Sequence, residues 1–333
     1  VTERLEHAVR MHAAMGRQVI RRRRQPQNRL PPARYPTQAR LQYYRDLMQM
    51  VQAVQALVVR DVLPKLPSIL DAHAVMRPER RDATEDDIGA AFDDVQSEAA
   101  AVVPDSAIEM AAQKNALRVT QWNGAQLEKE VRKVAKINLF DNSAGLAQHL
   151  ELFVADNVDL VKSLVFDQLD DLKGIVMRGA RAGLHHTAIA DQIRERFGVT
   201  QRRAALIATD QVGKLNGELN QLRQQTLGIR RYRWSTSRDE RVRPGHARLD
   251  GTIQRWDSPP VVDERTGERG HPGQPVRCRC QAIPIVDDVL VEAGLMAPDD
   301  VELQQPAPRS APELPRVPPT LPVPPPANAP RRR

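Results

Sequence analysis

Apolar residues recur at intervals of three and four along most of this chain, the spacing that lays one face of an α-helix against a core. From Thr37, the residues Leu41, Tyr44, Met48, Val51, Val54 and Val58 form one such stripe, which predicts a helix ending near Pro64 and requires a partner helix to cover it. Thr84, followed by Glu85, Asp86 and Asp87, predicts a second helix start, because an N-cap hydroxyl and first-turn carboxylates satisfy exposed amides and complement the dipole. A further start at Pro104-Asp105 opens a helix running to about Leu139. Its expected buried positions are Ile108, Leu117, Trp122, Leu127, Val131 and Val134, with Trp122 read as core and Gly124 as a weak point.

Beyond Gly145 the pattern predicts three helices, over 158–181, 187–196 and 200–222, punctuated by Gly183 and Gly198, with Thr187 and Thr200 as N-caps. After Gly228 the period changes. Ile229, Tyr232 and Trp234 lie among Arg and Thr in a β-like stretch, and Gly, Pro and Asp become frequent through Pro284. Turns are expected at Asp250-Gly251, Thr266-Gly267 and Pro272-Gly273, with Gly251 supplying a positive φ. A short helix over 286–295 follows. The stretch 304–333 is dominated by proline and ends in three arginines; it reads as a disordered or polyproline-like spacer, with an SH3-type ligand as the alternative for its PxxP-like spacing.

These elements predict a mainly α fold with a small C-terminal α+β module: a helical body, a short hairpin-like or irregular β segment, and a disordered Pro-rich tail. The expected divisions are a basic arm and linker over 1–36, a helical region over 37–157, a distinct domain over 158–290, and a helix end plus tail over 291–333. Composition agrees, since aromatics make up only 4% of 333 residues while Ala, Gln and Arg recur throughout. No stretch approaches 18 uninterrupted apolar residues and the first residues carry charge, so no membrane partner is expected and the chain reads as soluble and unexported. The two cysteines, Cys278 and Cys280, are one residue apart, a spacing that makes only a strained disulfide and fits a reduced, cytoplasmic origin.

Charge adds one candidate contact. The net charge is +7, which favours polyanionic partners, and basic residues crowd the first 45 positions. Arg21, Arg22, Arg23 and Arg24 are either a contact for DNA phosphates or a solvated basic helix face.

The most specific signal is a string of short elements in fixed order: Ala208-Thr209-Asp210, Gly228-Ile229, Trp234-Ser235-Thr236, Asp239-Glu240-Arg241-Val242-Arg243, His246, Leu249-Asp250-Gly251, His271-Pro272, and Cys278-Arg279-Cys280. No one of these suffices alone. Together they resemble the phage head morphogenesis family that includes the Mu F-like minor head proteins, over about eighty residues, or nearer 125 with the preceding helices. Asp210 stands where that family more often has Glu, and Gly273 where a second Pro commonly follows His-Pro. The resemblance implies a minor head protein in low copy, associated with the portal protein, other head proteins and packaged double-stranded DNA. Its expected place is the head interior or portal vertex, after assembly from the host cytoplasm.

The same residues have a chemistry of their own. Asp239, Arg241 and Arg243 alternate, so on an extended segment they share a side and form an ion-paired cluster. His246, His271, Cys278 and Cys280 are the only Cys and His residues of the module and supply the two nitrogen and two sulfur donors of a tetrahedral zinc site. The competing reading has the histidines bonded to loop backbone and the thiols buried as small hydrophobes. Trp234 and Trp256 are read as packing anchors of the module rather than base-stacking platforms. His185 and His186 have no ligand-spaced partners and take no assignment.

Two other function classes compete with the head protein. An enzyme, either a nuclease or an ADP-ribosyltransferase-like toxin module, would need His246 or His271 beside a second proton-transfer group. No complete catalytic motif is present: there is no Walker motif, HExxH, GxSxG or paired-carboxylate set. A nucleic-acid-binding protein would use residues 187–222 as a helix-turn-helix about Gly198-Val199-Thr200, with Arg202, Arg203 and Lys214 as its thin basic face.

Overall fold

A computed structural model describes residues 35–74, 81–135 and 146–292. Arg21, Arg22, Arg23 and Arg24, the Pro-rich stretch 304–333, the side chain of Val134, and Leu139 lie outside the described residues. The fold is mainly α with a small antiparallel β module near the C-terminal end. Helix α1 spans Thr37–Leu57, α2 Leu66–Ala74, α3 Arg81–Val102, α4 Asp105–Ala135, α5 Leu146–Arg181 and α6 His186–Thr226.

Helix α1 follows its predicted stripe with a shift in phase. Tyr43, Leu47, Val51 and Val54 are fully buried, whereas Leu41 and Tyr44 lie half-buried at the edge. A polar contact sets this phase: the Tyr43 hydroxyl donates to Asn157 Oδ1 at 3.0 Å, deep between α1 and α5. The chain does not stop near Pro64. It widens into a π turn over Val58–Val62, tightens into a 3-10 turn over Leu63–Lys65, and continues as α2. Pro64 has no amide to give Arg60 and its ring crowds that carbonyl, so the helix loosens just ahead of it.

Helix α3 begins at Arg81, ahead of the predicted Thr84 start. Helix α4 begins at Asp105 as the Pro104-Asp105 pair predicts, and buries Ile108, Leu127 and Val131. Leu117 is instead exposed and Trp122 is half-exposed. The buried face turns toward Asn115, Val119 and Asn123, because α4 packs a polar seam as well as an apolar one against α6.

The largest departure concerns the three helices predicted after Gly145. Two are found, α5 and the 41-residue α6, which runs unbroken through Gly198-Val199-Thr200. Ile189, Ile193, Ala204, Ile207, Val212, Leu215 and Leu219 keep one helical phase across that point, so one apolar face holds both halves on the core. Thr200 is not an N-cap: its hydroxyl bonds the Arg196 carbonyl at 3.3 Å inside the helix. Nor is Thr187, since His185 is the N-cap and its ring nitrogen accepts from the Thr187 amide. The helix-turn-helix reading fails with the turn. Arg203 and Lys214 are also engaged within the protein, by Ser163 Oγ at 2.6 Å and Asp210 at 2.8 Å.

Both ends of α5 and α6 that matter are closed by glycine. Gly183 (φ +65°) and Gly228 (φ +77°) each follow a last helical turn whose carbonyls are taken up by two backward bonds, Leu184 to Gly179 and Gly183 to Ala180, then Ile229 to Gln224 and Gly228 to Gln225.

The module that follows has strands β1 (Arg231–Ser235), β2 (Ile253–Arg255) and β5 (Gln281–Ile285) in one antiparallel sheet of order β2-β1-β5, and a separate β3-β4 hairpin over Val261–Asp263 and Glu268–Arg269. A short helix α7 (Pro244–Leu249) lies between β1 and β2, and α8 (Asp287–Glu292) follows β5. Central strand β1 aligns Arg233 with Ile253 on one side and Trp234 with Ala282 on the other. Tyr232, Trp234, Trp256, Val262, Cys278, Cys280 and Ala282 make its core, so both module tryptophans are packing anchors. Gly251, Gly267 and Gly273 each take positive φ at the predicted turns.

Candidate metal centre

Three chain segments meet at one end of the module. Pro244 opens α7 at the position where a missing amide does no harm, and α7 presents His246 inward. Gly245 fixes how closely α7 approaches the hairpin, because a Cβ there would sit 2.1 Å from the Val262 carbonyl oxygen. From the other side the strand β5 is entered through Cys278-Arg279-Cys280, with both sulfurs facing the core.

His246, Cys278 and Cys280 converge. His246 Nδ1 lies 3.6 Å from Cys278 Sγ and 3.4 Å from Cys280 Sγ, and all three residues are buried. Their ligand-capable atoms lie within 4.8 Å of one another. Both cysteines are free. Hydrogen bonding from Cys280, with help from His246 and the Gly273 amide at 3.4 Å from its sulfur, holds the Cys278 thiol well below the usual thiol range, against burial. Cys280 is pushed well above that range by its bond to Cys278 and by burial. Trp234 packs edge-on against the His246 ring, centroids 5.6 Å apart, and closes the site on its inner side.

His271 does not join this set. Its Nδ1 pairs with the Tyr232 hydroxyl at 2.8 Å, and its ring packs at a tilt against Trp256 with centroids 4.9 Å apart. Burial lowers its pKa, which keeps the imidazole neutral, while burial also raises the Tyr232 phenol. The four-donor set expected from composition thus divides into a Cys2His cluster and a packed His-Tyr pair.

The Asp239, Arg241 and Arg243 cluster forms only in part, since Arg241 stays beside Asp239 and Arg243 does not. Residues 236–243 are a loop rather than a strand, so alternation does not bring Arg243 to the other two side chains. Asp239 forms a forked pair with Arg279 at 2.6 and 2.8 Å, and this guanidinium holds the carboxyl below its ordinary range. Arg243 donates to the Val276 carbonyl at 2.6 Å, and Arg241 is exposed, 3.9 Å from Asp239. The arginine that matters is therefore the middle residue of Cys-Arg-Cys, which pins the loop between the two sulfurs.

Helix α6 braces the same loop. Asp210 accepts the Arg277 amide at 2.8 Å and so holds the residue before Cys278, whose φ of +58° a non-glycine residue adopts only when its neighbours fix it. Thr209 lies beside it, its carbonyl taking the Tyr35 hydroxyl at 2.8 Å and its own hydroxyl bonding Ala205. Gly213 and Gly217 form a flat face one turn further on. A Cβ at Gly213 would stand 2.8 Å from the Cys278 carbonyl oxygen, and one at Gly217 would stand 2.5 Å from that of Pro272 and 2.9 Å from Gly273 Cα. Gly273 (φ +96°) meets this face from the loop, so His271-Pro272-Gly273 rests directly on helix backbone.

Sequence reasoning did not find this face or the polar seam below it. Arg223 Nη1 donates to Asn123 Oδ1 at 2.8 Å and to the Thr120 carbonyl; Asn123 donates to Asn216 and Asn220; Asn216 donates to Gln281 at 2.7 Å. Gln224 then gives its amide to the Ala282 carbonyl and takes the Trp256 indole N–H. The available signal was spacing: Gly213 with Gly217, and Asn216 with Asn220 and Gln224, each lie four residues apart on α6. Gly124, read as a weak point, is the place where α4 admits the Arg223 guanidinium, 3.1 Å from a would-be Cβ.

The family model described as phage Mu protein F like protein matches residues 170–283. An uncharacterized protein of Haemophilus influenzae is 35% identical over 169 residues, which cover 50% of this chain and 36% of that relative. The matched part thus spans little more than a third of the relative's length. No solved structure matches.

Proposed function

We propose that this chain, whose residues 170–283 match the phage Mu protein F-like family, is a minor head protein of a tailed phage or prophage that acts in head morphogenesis through contacts with the portal and the packaged DNA. The family implies the head role; portal and DNA are the finer reading. One observation carries it: the matched residues are those that build the α6 platform and the module locked onto it, where Asp210, Gly213 and Gly217 receive the His-Pro-Gly and Cys-Arg-Cys loops. The signature therefore specifies a rigid body for assembly, with the expected flanking contact being Arg21, Arg22, Arg23 and Arg24 on DNA phosphates.

The enzymatic alternative gains little from this geometry. His246 and His271 are both buried and lie in separate clusters, each facing protein groups, so neither is placed to exchange a proton with a phosphodiester arriving from solvent. Among the described residues no helix is long and apolar enough to cross a membrane.

Fractionation of purified particles tests the role. The protein is expected in intact heads at low copy, and deletion of its gene is expected to lower the yield of infectious heads. Particles that lack the protein, together with normal infectivity after deletion, would refute it. For DNA, replacing Arg21, Arg22, Arg23 and Arg24 by Ala in the full chain is expected to weaken binding and reduce its salt dependence by roughly four phosphate contacts. Unchanged binding would reject the arm as the contact.

A further inference from the structure

We propose that His246 Nδ1, Cys278 Sγ and Cys280 Sγ bind a soft divalent cation of the zinc class, in a buried site that ties α7 to the loop entering β5. Geometry is the first support. Zinc holds sulfur at about 2.3 Å and imidazole nitrogen at about 2.1 Å, and a tetrahedral angle between such bonds sets nitrogen and sulfur about 3.6 Å apart. The two separations here are 3.6 and 3.4 Å.

The second support is stoichiometric. Both sulfurs approach the same ring nitrogen, and one nitrogen carries one proton or one lone pair, so a single hydrogen bond cannot serve both contacts fully. A cation between the three atoms serves all of them. Two thiolates and an imidazole are a soft donor set, which favours zinc over magnesium or calcium. Both cysteines bind as thiolates, their protons passing to solvent, and the imidazole binds through the Nδ1 lone pair.

Need is the third support. Around the two cysteines the module's buried cluster is small, with Tyr232, Trp234, Trp256, Val262 and Ala282 and with Leu249 packed against it, and His246 comes from a helix of six residues. A cation joining residues more than thirty positions apart supplies the cross-link that so small a core lacks. Three protein donors leave one tetrahedral position for water or another small donor. The site excludes His271, whose Nδ1 is committed to Tyr232. None of this depends on the head-protein reading.

The test uses the full chain, purified with its thiols reduced and dialysed against metal-free buffer after incubation with zinc. About one zinc per chain is expected, with cobalt(II) in its place giving thiolate-to-cobalt charge-transfer absorption. Cys278→Ser and Cys280→Ser should abolish both signals, and His271→Gln should retain them. Because a serine variant can fail to fold, the wild-type chain provides a second readout: zinc should slow alkylation of both thiols about tenfold or more. A folded, reduced wild-type chain that binds no zinc, alkylation unaffected by zinc, binding that survives both serine substitutions, or isolation of the native protein with a Cys278-Cys280 disulfide and no metal would each overturn the site.

Discussion

The helical body and the β module solve the problem of stability by different means. In the body, long helices α1, α3, α4, α5 and α6 satisfy their own backbone and bury aliphatic side chains such as Leu47, Ile88, Leu164, Leu172 and Ile193 in one continuous core. In the module the strands are two to five residues long and the core is aromatic and sulfur-containing. Position there is fixed by discrete contacts: Asp210 on Arg277, Arg279 on Asp239, Arg231 on Asp288, and the Asn123-Asn216-Gln281 chain. A large core tolerates small errors by spreading them over many contacts, whereas a small one depends on each anchor. The module's signature residues are therefore mainly anchors.

The largest expected effect tests whether the two regions melt together. Trp234→Ala removes the largest fully buried side chain of the module and should destabilise by about 3–5 kcal/mol, measured by denaturant unfolding. Hydrogen exchange separates the regions: amides of β1 and β5 should lose protection while those in the middle of α5 keep theirs. Equal loss in α5 would show one cooperative unit and dissolve the contrast between body and module.

How much of this was legible in the sequence follows the same division. The stripes of α1 and α4, the Pro104-Asp105 start and the change of character after Gly228 could be read because burial on a helix face leaves a period. Gly198 looks like a stop signal because glycine weakens a helix, yet Ile189, Ile193, Ala204 and Ile207 stay in phase across it and hold the helix on the core. Leu117 and Trp122 misled because α4 turns Asn115 and Asn123 inward, and buried polar partners belong to tertiary pairing that no local pattern records. At the site, composition picked out the cysteines and His246 that the fold brings together, but could not tell His271 from His246. That distinction rests on the Tyr232 hydroxyl, 39 residues away.

A pair of alanine substitutions on α6 gives a smaller and sharper test, because the two glycines share a helix and differ only in what faces them. Gly217→Ala pushes a methyl into the Pro272 carbonyl and Gly273 Cα, and the expected loss is about 1–3 kcal/mol despite better helix propensity. Gly198→Ala meets only the tip of the flexible Arg202 side chain at 3.6 Å, and the expected change is a gain of about 0.5–1 kcal/mol. Thermal or denaturant melts read both. Equal effects at the two sites would mean that the His271-Pro272-Gly273 loop does not rest on α6.

The smallest expected effect isolates one electrostatic anchor. Asp239→Asn keeps the side-chain oxygen that accepts the Arg241 amide at 3.1 Å and removes the charge paired with Arg279. The pair is partly exposed and solvent screens it, so the expected loss near pH 7 is about 1 kcal/mol. Because Arg279 depresses the Asp239 carboxyl in the folded chain, the stabilisation is fully present above the unfolded carboxylate range of about 4 and is lost as pH falls through the lower folded value. Melting curves of the two proteins should therefore begin to converge as pH falls below about 4, and should also draw together at high salt. A difference that persists at low pH would assign the effect to hydrogen-bond geometry in the 236–243 loop rather than to the ion pair.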